Sequence, residues 1–295
     1  MAQPVVVRVA GPSATLLVGE REVEASLVTR LPGGPLVVGD RVEVREAGDD
    51  VVVVGILPRA TQLERVTGTA ARLRPRIVVA NADLLLVVAS VVDPPLRHWV
   101  VDRYLVASHA GGLEPALVLT KTDIPHDVAE VAAVAARYRA IGYIVLAGSA
   151  KSDELVASVR TLVDGRVAAL AGESGVGKST LVRGLTGVQR AVGPVSERAR
   201  TGRHTTSDPR LIPLPGGGSI VDTAGVRSFY LPPLDRDELV AAFPEIAAAA
   251  AGCRFDDCRH SGDAGCDVMD KVSPERLESF RRILASVSGG HGAVA

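Results

Sequence analysis

Two short motifs stand in an order that restricts how this chain can fold. Residues 172–180 read GESGVGKST, with two glycines separated by four residues and followed by Lys and Ser, the pattern of a phosphate-binding loop between a strand and a helix. Residues 120–123 read TKTD, which is typical of a guanine-recognition loop. In most guanine-nucleotide-binding domains the guanine loop comes last. Here it comes first, so the sequence predicts a circularly permuted core.

The phosphate loop carries groups suited to an anionic nucleotide. Gly172 and Gly177 allow backbone amides to point at phosphate oxygens. Lys178 is expected to reach the β- and γ-phosphates, and the Ser179 hydroxyl to ligate Mg²⁺. The predicted nucleotide-binding residues of this loop are Gly172, Glu173, Ser174, Gly175, Val176, Gly177, Lys178, Ser179 and Thr180.

Two further loops are predicted to recognise the base. The Asp123 carboxylate can accept hydrogen bonds from N1 and the exocyclic amine of guanine, an arrangement that adenine does not offer. Lys121 belongs to the same loop, as does Thr120, which stands where Asn is usual. The alternative for Asp123 is a turn in which it caps a helix. A second guanine-contact loop, whose central amide faces the base, is predicted at Ser149, Ala150 and Lys151.

Two segments after the phosphate loop are predicted to respond to the γ-phosphate. Asp222 ends an apolar strand and can hold Mg²⁺ through water, while the Gly225 amide can meet the γ-phosphate. The intervening GRHTT segment can close over the metal when it becomes ordered. Within that segment Thr206 is the predicted partner of Ser179 in binding magnesium, and Thr205 is the alternative.

The residue that activates water is not the usual one. Many GTPases carry Gln after the glycine of this last motif, where it orients the attacking water. This chain has Val226, which cannot hydrogen bond to water. His204 is the candidate catalytic residue, because imidazole accepts or donates a proton near neutral pH. The alternative is an exposed loop histidine with no catalytic role.

All three cysteines lie in one short C-terminal stretch. Cys253, Cys258 and Cys266, together with His260, offer three thiolates and an imidazole, which complete a closed tetrahedral zinc shell of the structural kind. An odd, clustered set of cysteines fits metal ligation better than disulfides. Three free buried thiols beside a surface histidine are the alternative.

The rest of the chain divides into three regions. Valine-rich segments broken by turns predict a small β-barrel of the OB-fold type at the N-terminus, with a β-module that binds no ligand as the alternative. A basic linker follows, containing Arg59, Arg65, Arg72, Arg74 and Arg76 against Glu64. Strands and helices then alternate as in a doubly wound α/β core. The predicted domains are residues 1–68 (barrel), 69–232 (permuted core) and 233–295 (helical zinc-binding domain).

The bulk composition favours a cytoplasmic protein. No apolar run approaches the ~20 residues needed to span a bilayer, and the N-terminus has no charged region followed by an apolar core. The net charge of -1 argues neither for nor against a nucleic-acid partner. Nothing in the sequence predicts a stable oligomer, so we expect a monomer without a membrane partner.

Together these residues resemble the bacterial ribosome small-subunit-dependent GTPase family of the circularly permuted RsgA/YjeQ type. The resemblance spans nearly the whole chain and is carried most specifically by the segments 202–206, 214–218 and 222–225 and by the Cys/His cluster, with support from Pro58-Arg59 and from residues 102–105.

The resemblance implies a permuted α/β P-loop GTPase core between an N-terminal OB-fold barrel and a C-terminal helical zinc domain. It implies GTP and GDP, Mg²⁺ and one structural Zn²⁺ as ligands, and the small ribosomal subunit with its rRNA as partner. Family members act late in small-subunit maturation, and the subunit stimulates their hydrolysis. The proposed catalytic histidine of the family corresponds to His204.

Three features depart from the family pattern. Thr120 replaces the usual Asn, Ala224 replaces the commoner Pro, and residues 1–60 hold six Arg and eight acids. The basic linker and the arginine-rich segment around 190–203 are therefore better predicted phosphate contacts than the barrel. Three rival functions remain: a nucleotide-gated RNA-binding module with vestigial hydrolysis, which Val226 motivates, an ATP-using P-loop enzyme, and a permuted GTPase that serves the large subunit.

Overall fold

A computed structural model describes residues 3–48, 50–67, 74–187, 209–223, 231 and 234–288 of the 295-residue chain. The N-terminal part is a five-stranded barrel with the strand order β1-β2-β3-β5-β4. Strands β3 and β5 are parallel, and a bridge between Val5 and Arg41 brings the far edge back to β1. This order is that of the expected OB-fold. The strands are β1 (Val5–Ala10), β2 (Ser13–Val18), β3 (Arg21–Leu27), β4 (Val42–Ala47) and β5 (Asp50–Ile56).

Alternating side chains fill the barrel. In β2, Ala14 and Leu16 point inward and are buried, whereas the Thr15 hydroxyl donates to Glu24 on the outer surface. Val6 and Val53 complete the interior. Small aliphatic side chains therefore build this core, as a chain with 3% aromatic residues requires.

The prediction that a basic linker follows the barrel is wrong. Its described part forms a hairpin of β6 (Gln62–Thr67) and β7 (Arg74–Ala80), paired antiparallel. Apolar residues beneath the arginines explain the strands, because Leu63, Val78 and Val79 are buried while Arg74 and Arg76 are exposed. The predicted domain boundary between residues 68 and 69 lies between these two paired strands.

The barrel is fixed to the hairpin by close backbone packing. Gly39 lies so near β7 that a Cβ atom would stand 1.9 Å from the Ala80 carbonyl oxygen. The Asn81 amide donates to the Gly39 carbonyl over 3.0 Å and its oxygen accepts from the Ala60 amide. Arg59 pairs with the fully buried Asp40 carboxylate over 2.7 Å, which gives the Pro58-Arg59 motif a structural role.

The core is a six-stranded sheet with the order β10-β9-β8-β11-β13-β12. All neighbouring strands are parallel except the β12–β13 pair. The chain runs outward from β8 to β10, returns to β11 beside β8, and then continues on the other side, so a topological switch point lies between β8 and β11. The strands are β8 (Leu84–Ser90), β9 (Glu114–Thr120), β10 (Ile144–Ala147), β11 (Val167–Ala171), β12 (Arg210–Pro213) and β13 (Ser219–Asp222).

Helices cover both faces of this sheet, as the alternating pattern predicts. Asp127 caps α2 by accepting from the amides of Ala129 and Glu130, and Ser152 caps α3. The helices are α1 (His98–Ala110), α2 (Val128–Ala140), α3 (Asp153–Val163) and α4 (Lys178–Thr186).

The C-terminal part is helical, as expected. Phe243 and Phe280 meet edge to face at 5.5 Å between ring centres, within a hydrophobic cluster that also contains Tyr104 and Leu105 of α1. No helix within the described residues combines the length and the apolar character needed to cross a membrane. The helices are α5 (Arg236–Ala241), α6 (Pro244–Ala250), α7 (Val268–Lys271) and α8 (Pro274–Ser288).

Candidate functional site

The phosphate loop leaves the carboxyl end of β11 beside the switch point. At Gly172 a Cβ atom would lie 2.1 Å from the Val88 carbonyl oxygen, so only glycine lets the loop cross β8 this closely. Helix α4 begins at Lys178, so the last three residues of the 172–180 motif are helical. Ser179 and Thr180 therefore stand in its first turn, where backbone amides and the helix dipole favour an anion.

Lys178 is held inside this loop. Its ammonium donates to the carbonyl oxygens of Gly172 over 2.7 Å and of Glu173 over 2.6 Å. Burial lowers the pKa of Lys178 to about 8, and the nearby Asp222 carboxylate opposes that shift. The charge is thus available at neutral pH in a site shielded from water.

A hydroxyl joins the guanine loop to the phosphate loop. Thr120 ends β9, is fully buried, and donates to the Val176 carbonyl oxygen, with the Ala89 carbonyl 3.2 Å away. Asn is usual at this position, yet the shorter Thr side chain still makes the connection. Ala150, from the second predicted guanine-contact loop, packs close to Gly177 in the same place.

The Asp123 carboxylate faces Ser149 and Lys151 of the second predicted guanine-contact loop and does not cap a helix. The Ser149 hydroxyl and the Lys151 ammonium, 3.2 Å away, stabilise the ion and lower the pKa of Asp123. The alternative helix-cap role for Asp123 is wrong, because Asp127 caps α2. Lys121 lies in the same loop, and its ammonium donates to the Asp93 carbonyl.

The carboxyl end of β13 completes this edge of the sheet. Asp222 lies there, near enough to Lys178 to affect its pKa. Sequence reasoning missed the next residue, Thr223, whose buried hydroxyl donates to the Leu170 carbonyl over 2.6 Å and ties this segment to β11. The predicted residues His204, Thr205, Thr206 and Gly225 lie outside the described part of the chain.

The three cysteines and His260 converge in the C-terminal part. Their ligand atoms all lie within 4.8 Å of one another, and Nδ1 of His260 is 3.7 Å from the sulfurs of Cys253 and Cys266. Ligand atoms bound to one tetrahedral zinc ion, at about 2.3 Å for sulfur and about 2.0 Å for nitrogen, would be about 3.6 Å apart. Burial lowers the pKa of His260 and so favours the neutral ring that can ligate a metal. The arrangement fits a zinc ion.

Two residues that sequence reasoning missed support this cluster. The Asp263 carboxylate accepts from the backbone amides of Arg259 and Ser261, at 3.1 and 3.2 Å, and orders the turn that carries His260. Arg281 of α8 donates through Nε and Nη2 to the His260 carbonyl oxygen, both at 3.1 Å. The spacing of Asp263 within the cysteine run was a usable signal, whereas the contact with Arg281 depends on the fold.

Comparison with solved structures supports the permuted fold. Over the whole chain the structure is similar to YloQ, a circularly permuted GTPase, with a TM-score of 0.75, 22% identity and 97% of that chain covered. YjeQ from Thermotoga maritima gives a TM-score of 0.74 at 23% identity, covering 97% of this chain and 98% of the other. At these identities the likeness concerns the fold.

Comparison with known sequences identifies the family. The RsgA GTPase family model matches residues 56–232. The small ribosomal subunit biogenesis GTPase RsgA of Pseudomonas fluorescens is 37% identical over 261 residues, which cover 85% of this chain and 75% of that protein. The protein of the same name from Azotobacter vinelandii is 38% identical over 262 residues with the same coverage. The chain therefore belongs to the RsgA GTPase family of circularly permuted GTP-hydrolysing enzymes.

Proposed function

We propose that this protein binds the small ribosomal subunit late in its maturation, hydrolyses GTP to GDP and phosphate there, and couples hydrolysis to its release. The observation that carries this proposal is the junction of the guanine and phosphate loops through Thr120 at the carboxyl edge of the sheet. The names of the relatives support the choice of partner, because they are described as small ribosomal subunit biogenesis GTPases.

Guanine selectivity would come from the ionised Asp123. Its oxygens can accept hydrogen bonds, and N1 and the exocyclic amine of guanine supply two donors. The Ala150 amide would donate to the guanine carbonyl. Since adenine presents a different set of donors, this arrangement favours GTP over the ATP of a rival P-loop enzyme.

Phosphate binding would use the loop from Gly172 to Thr180. Its backbone amides and the start of α4 favour the anion, and Lys178 supplies a partly buried positive charge. Ser179 and Thr206, with Thr205 as the alternative, would ligate Mg²⁺, and Asp222 would hold it through water. A bound Mg²⁺ neutralises charge on the phosphates.

We assign catalysis to His204 because the family resemblance implies it and because Val226 stands where many GTPases carry the Gln that orients water. A valine cannot orient water, whereas an imidazole in the segment before Asp222 can orient a water molecule by accepting a hydrogen bond from it. We propose that Gly225 meets the γ-phosphate beside it.

The Cys/His cluster would hold one structural Zn²⁺. Three thiolates and Nδ1 of His260 provide four ligands and leave no open position, so the ion would stabilise the C-terminal part and take no part in the reaction. Support from Asp263 and Arg281 keeps the ligands oriented.

The proposal extends to the RNA partner, the cellular location and the organisation of the chain. We propose contacts with rRNA, a cytoplasmic location and a monomer. Its proposed units are the barrel, the permuted core up to residue 232 and the helical part at 233–295, with the β6–β7 hairpin kept whole at the junction of the first two. The arginine-rich stretch around 190–203 is the proposed phosphate contact, because each neutralised phosphate releases counterions. Ultracentrifugation of the free protein tests the monomer.

The deciding experiment measures GTP hydrolysis by the purified protein alone, with isolated small subunits and with isolated large subunits. Wild type is compared with His204→Ala and with His109→Ala, an exposed histidine at the end of α1 that serves as the matched control. We expect stimulation by the small subunit only, retained in the control and lost in His204→Ala.

Other outcomes select among the alternatives. Stimulation that survives His204→Ala would move catalysis to another group. No stimulation by saturating small subunits would favour the nucleotide-gated binding module with vestigial hydrolysis, and stimulation by large subunits would reverse the choice of partner.

A further inference from the structure

Helix α1 touches the phosphate loop at its start. Arg97, the residue immediately before the helix, pairs with the Glu173 carboxylate through two of its nitrogens, and Nε stands 3.3 Å from Oε2. Glu173 is the second residue of the phosphate loop, and its side chain is 24% exposed. The pair therefore links α1 to the loop through a side chain that the proposed nucleotide contacts do not use.

The first turn of α1 also contacts the C-terminal helix. Trp99 is the only tryptophan of the chain. The guanidinium carbon of Arg282, on α8, lies 4.1 Å from the centre of its ring, and that of Arg97 lies 5.8 Å away. Both distances allow cation–π attraction. One aromatic ring thus interacts with a cation paired to the phosphate loop and with a cation on α8.

A buried ion pair holds α1 and α8 together further along. Asp102 of α1 is fully buried and accepts from Arg276 of α8 and from the Tyr138 hydroxyl, the latter over 2.7 Å. Arg276 also pairs with Glu245 of α6, and its guanidinium lies 4.4 Å from the centre of the Phe243 ring. Because separating such a pair leaves an uncompensated buried charge, α1 and α8 are expected to move as one body.

The same helix reaches the Cys/His cluster. Arg281 is the neighbour of Arg282 in the sequence, and it donates to the His260 carbonyl oxygen. A continuous series of contacts therefore runs from Glu173 through α1 and α8 to the proposed zinc ligands.

We infer that Arg97 and Arg282 are positioning residues, which act through Trp99 and Glu173 to couple the phosphate loop to the C-terminal part. The inference rests on the proposed function. Lys178 donates to the Glu173 carbonyl oxygen. Bound phosphates would attract this ammonium and weaken its hydrogen bond to the Glu173 carbonyl oxygen. Glu173 would then shift, and Arg97, which pairs with the Glu173 carboxylate, would change its position relative to Trp99. A partner bound to the C-terminal part would change nucleotide affinity along the same route, because coupling between sites is reciprocal.

Trp99 provides the first readout, since all tryptophan fluorescence comes from this position. GDP binding is established independently by calorimetry. We expect GDP to change Trp99 emission in wild type, and Arg97→Gln to remove most of that change while GDP still binds. An emission that is identical with and without bound GDP would overturn the inference.

The second readout tests the coupling from the distant end. We expect Arg282→Gln to change the GDP dissociation constant by about two- to fivefold, the size of one half-exposed cation–π contact. Arg282→Lys keeps the cation and should restore most of the wild-type affinity. The matched control is Arg254→Gln, since Arg254 lies 5.4 Å over the ring of Phe255 in the C-terminal part but outside this series of contacts.

The outcomes separate this inference from the proposed function. If Arg282→Gln binds GDP with wild-type affinity, or if Arg254→Gln changes affinity equally, the coupling is wrong although the protein remains a guanine-nucleotide-binding enzyme. If wild type binds neither GDP nor GTP, the proposed function fails together with the inference.

Discussion

A single hydroxyl joins the two loops proposed to hold opposite ends of the nucleotide. Thr120 donates to the Val176 carbonyl from a fully buried position. A buried carbonyl that loses its partner is costly, so the hydroxyl matters more than the identity of the residue that carries it. Thr at a position where Asn is usual is therefore a conservative change in this fold.

Removing that hydroxyl should weaken nucleotide binding. Thr120→Val keeps the shape of the side chain but leaves the Val176 carbonyl without this donor. We expect GDP affinity to fall about five- to tenfold, equivalent to about 1–1.5 kcal/mol for one lost hydrogen bond, as measured by calorimetry. Thr120→Ser keeps the hydroxyl and should bind nearly as wild type. Equal losses in both variants would contradict the role of the hydrogen bond.

The charge on Lys178 gives a pH dependence. Burial places its pKa at about 8. Bound phosphates favour the ammonium and raise this pKa, so GDP binding should take up protons where the free side chain is partly deprotonated. We expect uptake of about half a proton at pH 8 and about a tenth at pH 7, with affinity falling as the pH rises above 8. Titrations in buffers of different ionisation enthalpy measure the uptake, and equal values at the two pH values would argue against it.

At the scale of elements, the periodic segments of the core were predictable and the barrel only in part. The predicted alternation of strands and helices in the core is confirmed, beginning with β8 (Leu84–Ser90) and α1 (His98–Ala110). The β6–β7 hairpin was missed because arginines on its exposed face hid the buried Leu63 and Val79.

Contacts between distant residues could not be predicted from the sequence. Thr120 and Val176 are separated by 56 positions, Arg97 and Glu173 by 76, and Asp102 and Arg276 by 174. The ligand chemistry of each motif could be predicted, because its residues lie within a few positions of one another in the sequence. The pairing of one loop with another depends on strand order, which local patterns do not determine.

The joint between barrel and hairpin has a steric requirement that can be tested. Gly39→Ala would put a Cβ atom 1.9 Å from the Ala80 carbonyl at a φ of +87°. We expect the free energy of unfolding in urea to fall by more than about 3 kcal/mol. Gly19→Ala is the control, since Gly19 has a similar φ of +63° but nothing within 4 Å of the added atom.

That control should cost only about 1 kcal/mol, from backbone strain alone. If the two substitutions destabilise equally, the backbone conformation and not the contact with β7 sets the cost. The joint would then not hold the barrel in place.

For the whole molecule, the C-terminal part and the core form one hydrophobic cluster. Cys258 and Cys266 belong to the same cluster as Leu85 of β8 and Tyr104 of α1. The proposed zinc site therefore should stabilise more than its own loop, because loosening the ligands also loosens side chains that pack on the central sheet.

Zinc removal should lower the thermal transition of the entire core. We expect the purified protein to contain one zinc per chain, and a chelator or Cys258→Ser to lower the main calorimetric transition by at least about 5 °C. Adding Zn²⁺ back to the chelated protein should restore the transition, whereas Mg²⁺ should not. An unchanged transition after complete loss of zinc would show that the cluster stabilises only itself.

The strand order also has a consequence during synthesis. Strand β8 lies in the middle of the sheet between β9 and β11, yet β11 ends at Ala171, roughly 80 residues after β8. At 5–20 residues per second a ribosome needs about 4–16 s to make that stretch. Throughout this interval the nascent chain carries a strand that is apolar except for Ser90 and that has at least one unpaired edge, the kind of edge that other chains can join. A protein proposed to help mature ribosomes would itself depend, while being made, on protection from aggregation.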